Sequence, residues 1–155
     1  MRGKKAPKRT IAGDMKYSNI DVAKFINYVM SDGKKTTAEK VVYNAFELME
    51  TKTKKPALEL FDTAIKNVAP TLEVKSKRVG GANYQVPIPV RGERRFYLAC
   101  HWILGAARTK KGRGMKDKLA EELMAAAEGT GEAMKKKQDV QRMAEANRAF
   151  AHFAR

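Results

Sequence analysis

One extended segment limits what this chain can fold into. Residues 73–91 form two extended runs joined at Gly80-Gly81-Ala82-Asn83, whose glycines permit positive φ, and so predict a β-hairpin. Pro87 and Pro89 are two positions apart, so the amide hydrogens that both lack face the same side of the second strand. That side must be an unpaired edge, and the sequence contains no other strand candidate. We therefore expect a ribbon of two strands rather than a larger sheet.

Apolar residues recur at helical spacing in the rest of the chain. Side chains three and four positions apart form six amphipathic stretches, most of them bounded by a capping residue, a glycine or a proline. The six predicted helices begin near residues 19, 36, 56, 92, 115 and 132. The predicted fold class is mostly α: a single domain of about six helices at 19–155, a protruding two-stranded β-hairpin at about 73–91, and a basic, flexible amino-terminal arm at 1–18.

Three local assignments concern the predicted second and sixth helices. Thr36 followed by Glu39 is a capping-box pattern, which would begin the second helix at Thr36. Met143 falls on the predicted inner face of the sixth helix. Lys135 to Lys137 is assigned to solvent, because acidic residues surround it in the sequence. The first assignment predicts a helix boundary, and the other two predict which side chains are buried.

The positive charge is confined to two stretches. The 155 residues contain 32 Lys and Arg against 17 Asp and Glu, which gives a formal net charge of +15. Residues 1–18 hold six bases and one acid, and residues 75–116 hold eleven bases and one acid, whereas bases and acids balance in the remainder. A charge placed in this way predicts a binding surface for a polyanion.

Residue types that carry catalysis or bind metals are scarce. Cys100 is the single cysteine, and His101 and His152 are the only histidines. Cys100 is best interpreted as a small buried apolar residue. Gly33-Lys34 is followed by Lys35, where a phosphate-binding loop needs Ser or Thr. We therefore expect no enzyme, cofactor, metal or small-molecule substrate. The lone cysteine and the lack of a long apolar run indicate a cytoplasmic chain with no membrane partner.

A basic stripe follows the hairpin. Arg94, His101 and Arg108 lie seven positions apart on the predicted fourth helix, with Arg91 and Arg95 nearby. Seven residues are close to two helical turns, so the three side chains share one side at intervals of about 10 Å, which suits a phosphate backbone. Arginine can hold a phosphate through two parallel hydrogen bonds. The alternative is an ordinary solvated face, which normally mixes both signs of charge, and we favour phosphate binding.

The hairpin combines charge with an aromatic ring. Lys75, Lys77 and Arg78 precede the turn, and Tyr84 follows it. The cations could contact a nucleic-acid backbone while the ring packs on a base or sugar. Alternatively, Tyr84 only covers a neighbouring valine of the hairpin, and the residues do not decide between the two. They also leave open an architectural DNA-binding protein with a β-ribbon in the minor groove.

Four stretches of the sequence resemble the bacterial form of one family, the seventh protein of the small ribosomal subunit. They are Phe25 to Lys35, Val79 to Pro87, Arg94 to Trp102 and Met143 to His152. The resemblance implies a structural, RNA-binding constituent of the small subunit that acts in ribosome assembly and translation. Members bind the 3′ major domain of the rRNA, nucleate head assembly, and lie near the exit-site tRNA and the mRNA exit channel. Their neighbours include the eleventh and ninth small-subunit proteins.

The resemblance also assigns contact residues. Gly80, Gly81, Ala82, Asn83 and Tyr84 at the hairpin tip would lie near tRNA and mRNA, and Arg148, Phe150 and His152 would face a neighbouring protein. The residues expected to contact rRNA all carry a positive charge. They are Arg2, Lys4, Lys5, Lys8, Arg9, Lys34, Lys35, Lys75, Lys77, Arg78, Arg91, Arg94, Arg95, Arg108, Lys110, Lys111, Arg113 and Lys116.

Overall fold

A computed structural model describes residue 3, residues 6–7 and residues 9–154. Four predicted contact residues, Arg2, Lys4, Lys5 and Lys8, lie outside the described residues. The described part is mostly helical with one two-stranded antiparallel hairpin, which confirms the predicted fold class. Its elements are α1 (Ile20–Val29), α2 (Lys35–Thr53), α3 (Ala57–Val68), β1 (Leu72–Val79), β2 (Ala82–Pro89), α4 (Gly92–Thr109), α5 (Met115–Ala127), α6 (Glu132–Ala146) and a C-terminal 3₁₀ helix (Arg148–Ala154).

The chain divides into two compact units, the first ending at Lys40 and the second beginning at Val41. In the first unit, Asp14 anchors the turn before α1. Its buried carboxylate accepts hydrogen bonds from the backbone N–H groups of Lys16, Tyr17 and Asn19 at 3.1, 2.9 and 2.9 Å. Asn19 then caps α1 by accepting from the N–H of Asp21 at 2.8 Å. The last residues of the predicted arm therefore form an ordered turn.

The connection from α1 to α2 differs from the predicted one. α2 begins at Lys35, so Thr36 lies within its first turn. A capping residue must stand outside the helix, where its side chain can reach the free N–H groups of the first turn. The predicted capping box at Thr36 and Glu39 is therefore wrong. Lys34 and Lys35 are exposed at this connection.

In the second unit, the hairpin closes through a turn of two residues. Val79 pairs with Ala82, and the intervening Gly80 and Gly81 have φ of +57° and +90°. Positive φ at both central residues gives a turn whose twist matches the strands, and glycine adopts it without steric cost. The turn is shorter than the predicted four residues, because Ala82 and Asn83 belong to β2.

The strand register explains the two prolines. The pair that flanks a two-residue turn exchanges hydrogen bonds, and bonded and non-bonded pairs then alternate along the ribbon. Pro87 lies opposite Val74 and Pro89 opposite Leu72, both at non-bonded positions. The N–H groups that the prolines lack would therefore have pointed away from β1. This confirms the predicted unpaired edge.

The core of this unit is built from helices. α3 packs against α5, and α4 contacts α3, α5 and α6. Phe46 and Phe61 are fully buried with ring centroids 5.6 Å apart, and Cys100 is also buried, as predicted. Met143 is 46% exposed, so its predicted place on the inner face of α6 is wrong. The buried residues of α6 are Ala133 and Ala144.

A buried carboxylate joins the start of α6 to the end of α4. Glu122 on α5 is fully buried, and its Oε1 accepts a hydrogen bond from the N–H of Ala133 at 2.9 Å. The Lys110 ammonium lies 2.9 Å from Oε2, outside hydrogen-bond geometry, so the contact is electrostatic. Gly131 has φ of +92°, and a Cβ there would lie 2.9 Å from Glu122 Oε1. Both observations require glycine at position 131.

Candidate nucleic-acid interface

The cations of the hairpin are divided between its two faces. Side chains alternate along a strand, so Lys75 and Lys77 share one face and Arg78 lies on the other. Lys77 stands directly opposite Tyr84 in the register, and its Nζ donates a hydrogen bond to the carbonyl of Phe153 at 2.6 Å. The face with Lys75 and Lys77 is therefore the one that meets the C-terminal 3₁₀ helix. Arg78 is exposed on the opposite face.

A buried glutamate at the base of the hairpin holds two of the predicted RNA contacts. Glu73 Oε1 lies 2.9 Å from the Lys75 ammonium, and Nε and Nη2 of Arg94 donate to its Oε2 at 3.2 and 3.1 Å. Burial raises the pKa of Glu73, but hydrogen bonds from Lys75 and Arg94, together with their charges, lower it to a net value below the ordinary one. Glu73 is therefore a carboxylate at neutral pH.

The basic stripe on α4 has the predicted geometry but less charge. Burial lowers the pKa of His101, and the charges of Arg108 and Arg94 lower it further, so both arginines act on the ring. The His101 ring lies 4.1 Å from the ring of Tyr97. A histidine with a lowered pKa is neutral at pH 7. The stripe therefore presents two arginines separated by a neutral imidazole.

Arg95 lies on a different side of α4 from this stripe. It is one position beyond Arg94, which is about 100° around the helix, and it lines a shallow groove of about 250 Å³ with Lys66 of α3. Lys137 of α6 donates to the carbonyl of Asn67. Burial, followed by the charge of Arg95, lowers the Lys137 pKa. Lys137 is half-buried, so its predicted assignment to solvent is wrong.

Two acidic residues of α5 lie close to bases of the connection between α4 and α5. Glu121 lies 3.8 Å from both Lys110 and Arg113, and Glu122 lies 2.9 Å from Lys110. The stretch 75–116 contains one acid in sequence, but the fold adds Glu73, Glu121 and Glu122 from outside it. Opposite charges at these distances reduce the attraction that the paired bases offer to a polyanion.

Each of the remaining predicted contact residues carries an exposed positive charge that has no carboxylate partner among the described residues. They are Arg9, Lys34, Lys35, Arg78, Arg91, Arg95, Arg108, Lys111 and Lys116. Two of these, Arg95 and Arg108, are arginines of α4, and a third, Arg91, is the residue that directly precedes the helix. They can bind phosphate without first leaving an internal partner.

The aromatic residue of the hairpin packs against the end of the chain. The Tyr84 ring lies 5.1 Å from Phe150 and 5.3 Å from Phe153, and His152 lies 4.0 Å from Phe153. Gly80, Gly81, Ala82 and Asn83 are exposed at the tip. Arg148 and His152 are exposed and Phe150 is half-buried. Within the chain, the Tyr84 ring therefore packs on residues far along the sequence.

We expect Tyr84→Ala to loosen the C-terminal 3₁₀ helix. Each aromatic contact contributes about 0.5–1.5 kcal/mol, so losing two should speed local opening about tenfold. Trypsin cleavage after Arg148 under native conditions measures that opening. Asn83→Ala alters the adjacent exposed residue on the opposite face and should leave the cleavage rate unchanged. Equal rates in wild type and Tyr84→Ala would contradict the packing described here.

Comparison with known proteins identifies the family to which this basic chain belongs. A sequence profile of the ribosomal protein S7p/S5e family matches residues 1–148. The chain belongs to the ribosomal protein S7p/S5e family. It is 59% identical over 153 residues to the small ribosomal subunit protein uS7 of Thermotoga neapolitana, covering 99% of each chain. It is 55% identical over 152 residues to the uS7 of Polynucleobacter necessarius, covering 98% of this chain and 97% of the relative.

Membership of the S7p/S5e family confirms the resemblance found in the sequence, and the family is structural rather than enzymatic. Within the described residues, no group of three or more His, Cys, Asp or Glu side chains could hold a metal ion, and no helix is long and apolar enough to cross a bilayer. In the described part of the chain, no carboxylate forms an ion pair with Arg91, Arg95 or Arg108, which suits binding to the rRNA of the small subunit. That these arginines have no carboxylate partner among the described residues could not be predicted from the sequence, since it depends on where α5 and β1 lie.

Proposed function

We propose that this chain binds the 3′ major domain of small-subunit rRNA through the hairpin, α4 and the α4–α5 connection. Family membership makes it a structural constituent of the small ribosomal subunit, associated with that subunit and its rRNA. The observation that carries the finer proposal is the group of exposed arginines just before and within α4, which have no carboxylate partner among the described residues: Arg91, Arg95 and Arg108. Such side chains displace counterions from RNA phosphates, while the helices fix their register.

The proposal extends to assembly and to the neighbours on the subunit. A rigid helical body that neutralises several RNA segments at once would nucleate folding of the subunit head. The hairpin tip from Gly80 to Tyr84 would lie near the exit-site tRNA and the mRNA exit channel. Arg148, Phe150 and His152 would face the eleventh small-subunit protein, with the ninth also nearby. The exposure of residues 80–83 at that tip and of Arg148 and His152 supports this arrangement.

Salt-dependent binding tests the proposal. The full chain is titrated with a 3′-major-domain rRNA fragment, with duplex DNA of matched length and an unrelated structured RNA as competitors. We expect a preference for the fragment that persists near physiological salt, because shape-specific contacts survive screening better than bulk attraction. Equal affinity for all three nucleic acids would overturn the proposal.

A further inference from the structure

Glu73 is an acidic residue placed among bases that should bind RNA. A carboxylate repels phosphate. The Glu73 side chain is only 11% exposed, so removing its charged group from water also costs free energy. A surface selected only for attraction to RNA would have no acid here. The presence of an acid at position 73 must therefore have a cause other than general attraction to RNA.

The contacts of Glu73 fix the guanidinium of Arg94. Glu73 accepts from Nε and Nη2, which form one edge of the planar group. The Arg94 Cζ also lies 5.0 Å from the centroid of the Tyr97 ring, so one face of the guanidinium is covered as well. Three of the five N–H donors of an arginine remain, on the Nη1 side and the far side of Nη2. They form the terminal edge, which can still grip a phosphate with two hydrogen bonds.

The same carboxylate fixes a second cation and joins two elements. Lys75 lies on β1 and Arg94 in the first turn of α4, and Glu73 contacts both. The spacing of the two cations is therefore set before RNA arrives. Long cationic side chains otherwise lose rotamer entropy when they bind, and a prior contact removes part of that cost.

We infer that Glu73 is a positioning residue for RNA recognition, which orients Arg94 and Lys75 for phosphates of fixed spacing. This inference rests on the proposed function. The Glu73 carboxylate weakens the attraction of this surface to polyanions in general and increases its selectivity for one RNA shape.

Glu73→Gln tests the inference, because it removes the charge and keeps the size. If Glu73 only repels phosphate, the variant binds the 3′-major-domain fragment and duplex DNA more tightly in equal measure. If Glu73 positions the two cations, affinity for the fragment falls about three- to tenfold, which corresponds to one charge-assisted contact. Affinity for duplex DNA rises in the same variant. The ratio of the two affinities is the decisive quantity.

Glu121→Gln is the matched control. It removes the same charge from a looser contact, 3.8 Å from both Lys110 and Arg113. Both affinities should rise together and leave the ratio unchanged. A parallel rise in Glu73→Gln would overturn the inference alone. A wild-type chain without preference for the fragment would overturn the proposed function, and the inference with it.

Arg94→Lys provides a second test should Glu73→Gln fold poorly by circular dichroism. Lysine keeps the charge but lacks the planar fork, so it cannot contact Glu73 and a phosphate through separate edges. We expect fragment affinity to fall about three- to tenfold while duplex affinity stays constant. An unchanged ratio in Arg94→Lys would also overturn the inference.

Discussion

Replacing Arg91, Arg95 and Arg108 together with alanine should lower affinity for the rRNA fragment about a hundredfold near physiological salt. Each residue is exposed and has no carboxylate partner among the described residues. Each lost phosphate contact should reduce the slope of log affinity against log salt by about one unit, so the slope should fall by about three. Filter binding or fluorescence anisotropy over a salt series measures both quantities.

A second triple variant removes the same charge from another surface. Lys135→Ala, Lys136→Ala and Arg142→Ala alter exposed residues of α6, two of which lie beside Glu132 and Asp139. We expect this control to change the slope by less than about one unit, because these bases share their face with acids. An equal loss in both triples would show that total charge, rather than its placement, drives binding.

Local turn chemistry made the hairpin predictable. Gly80 and Gly81 supply the positive φ that a two-residue turn requires, and Pro87 and Pro89 exclude a third strand on their side. These signals come from residues that are neighbours in the chain, so the hairpin can be predicted from the sequence alone. Helix spacing succeeded for the same reason in α1, α3, α4 and α5. It failed at Thr36, because the helix begins at Lys35 and therefore includes the residue that was expected to cap it.

Long-range pairing made the charge of the site less predictable. Glu73 lies two positions before the basic stretch and 21 positions from Arg94, and no local rule joins them. Tyr84 contacts Phe150 and Phe153, which are much farther away in sequence. In each case the fold brings together residues that a count along the chain treats as separate.

The burial of Lys137 could have been predicted from its position on the helix. Ala133 and Ala144 are the buried positions of α6, and Lys137 follows Ala133 by one helical turn. That spacing places Lys137 on the inward side, where its ammonium reaches the carbonyl of Asn67. The acids around it in sequence lie on other sides of the helix. Helical position, rather than neighbouring charge, was the correct guide to its burial.

Replacing Glu122 with alanine should lower the free energy of unfolding by about 3 kcal/mol. The fully buried side chain accepts from the N–H of Ala133 and lies beside the Lys110 ammonium. Alanine would leave that N–H without an acceptor, Lys110 without its nearest carboxylate, and a cavity at the start of α6. For a chain of this length the melting temperature should fall by about 10 °C, measured by circular dichroism.

Two variants separate the causes of this loss. Glu122→Gln retains an acceptor for the Ala133 N–H but removes the charge beside Lys110, so we expect a smaller loss than in Glu122→Ala. Glu128→Ala removes an exposed carboxylate just beyond α5 and should change stability by less than about 0.5 kcal/mol. A loss in Glu122→Ala no larger than that of Glu128→Ala would mean that the buried carboxylate does not hold α6 to the α4–α5 connection. An equal loss in Glu122→Gln and Glu122→Ala would instead identify the charge beside Lys110 as the dominant contribution.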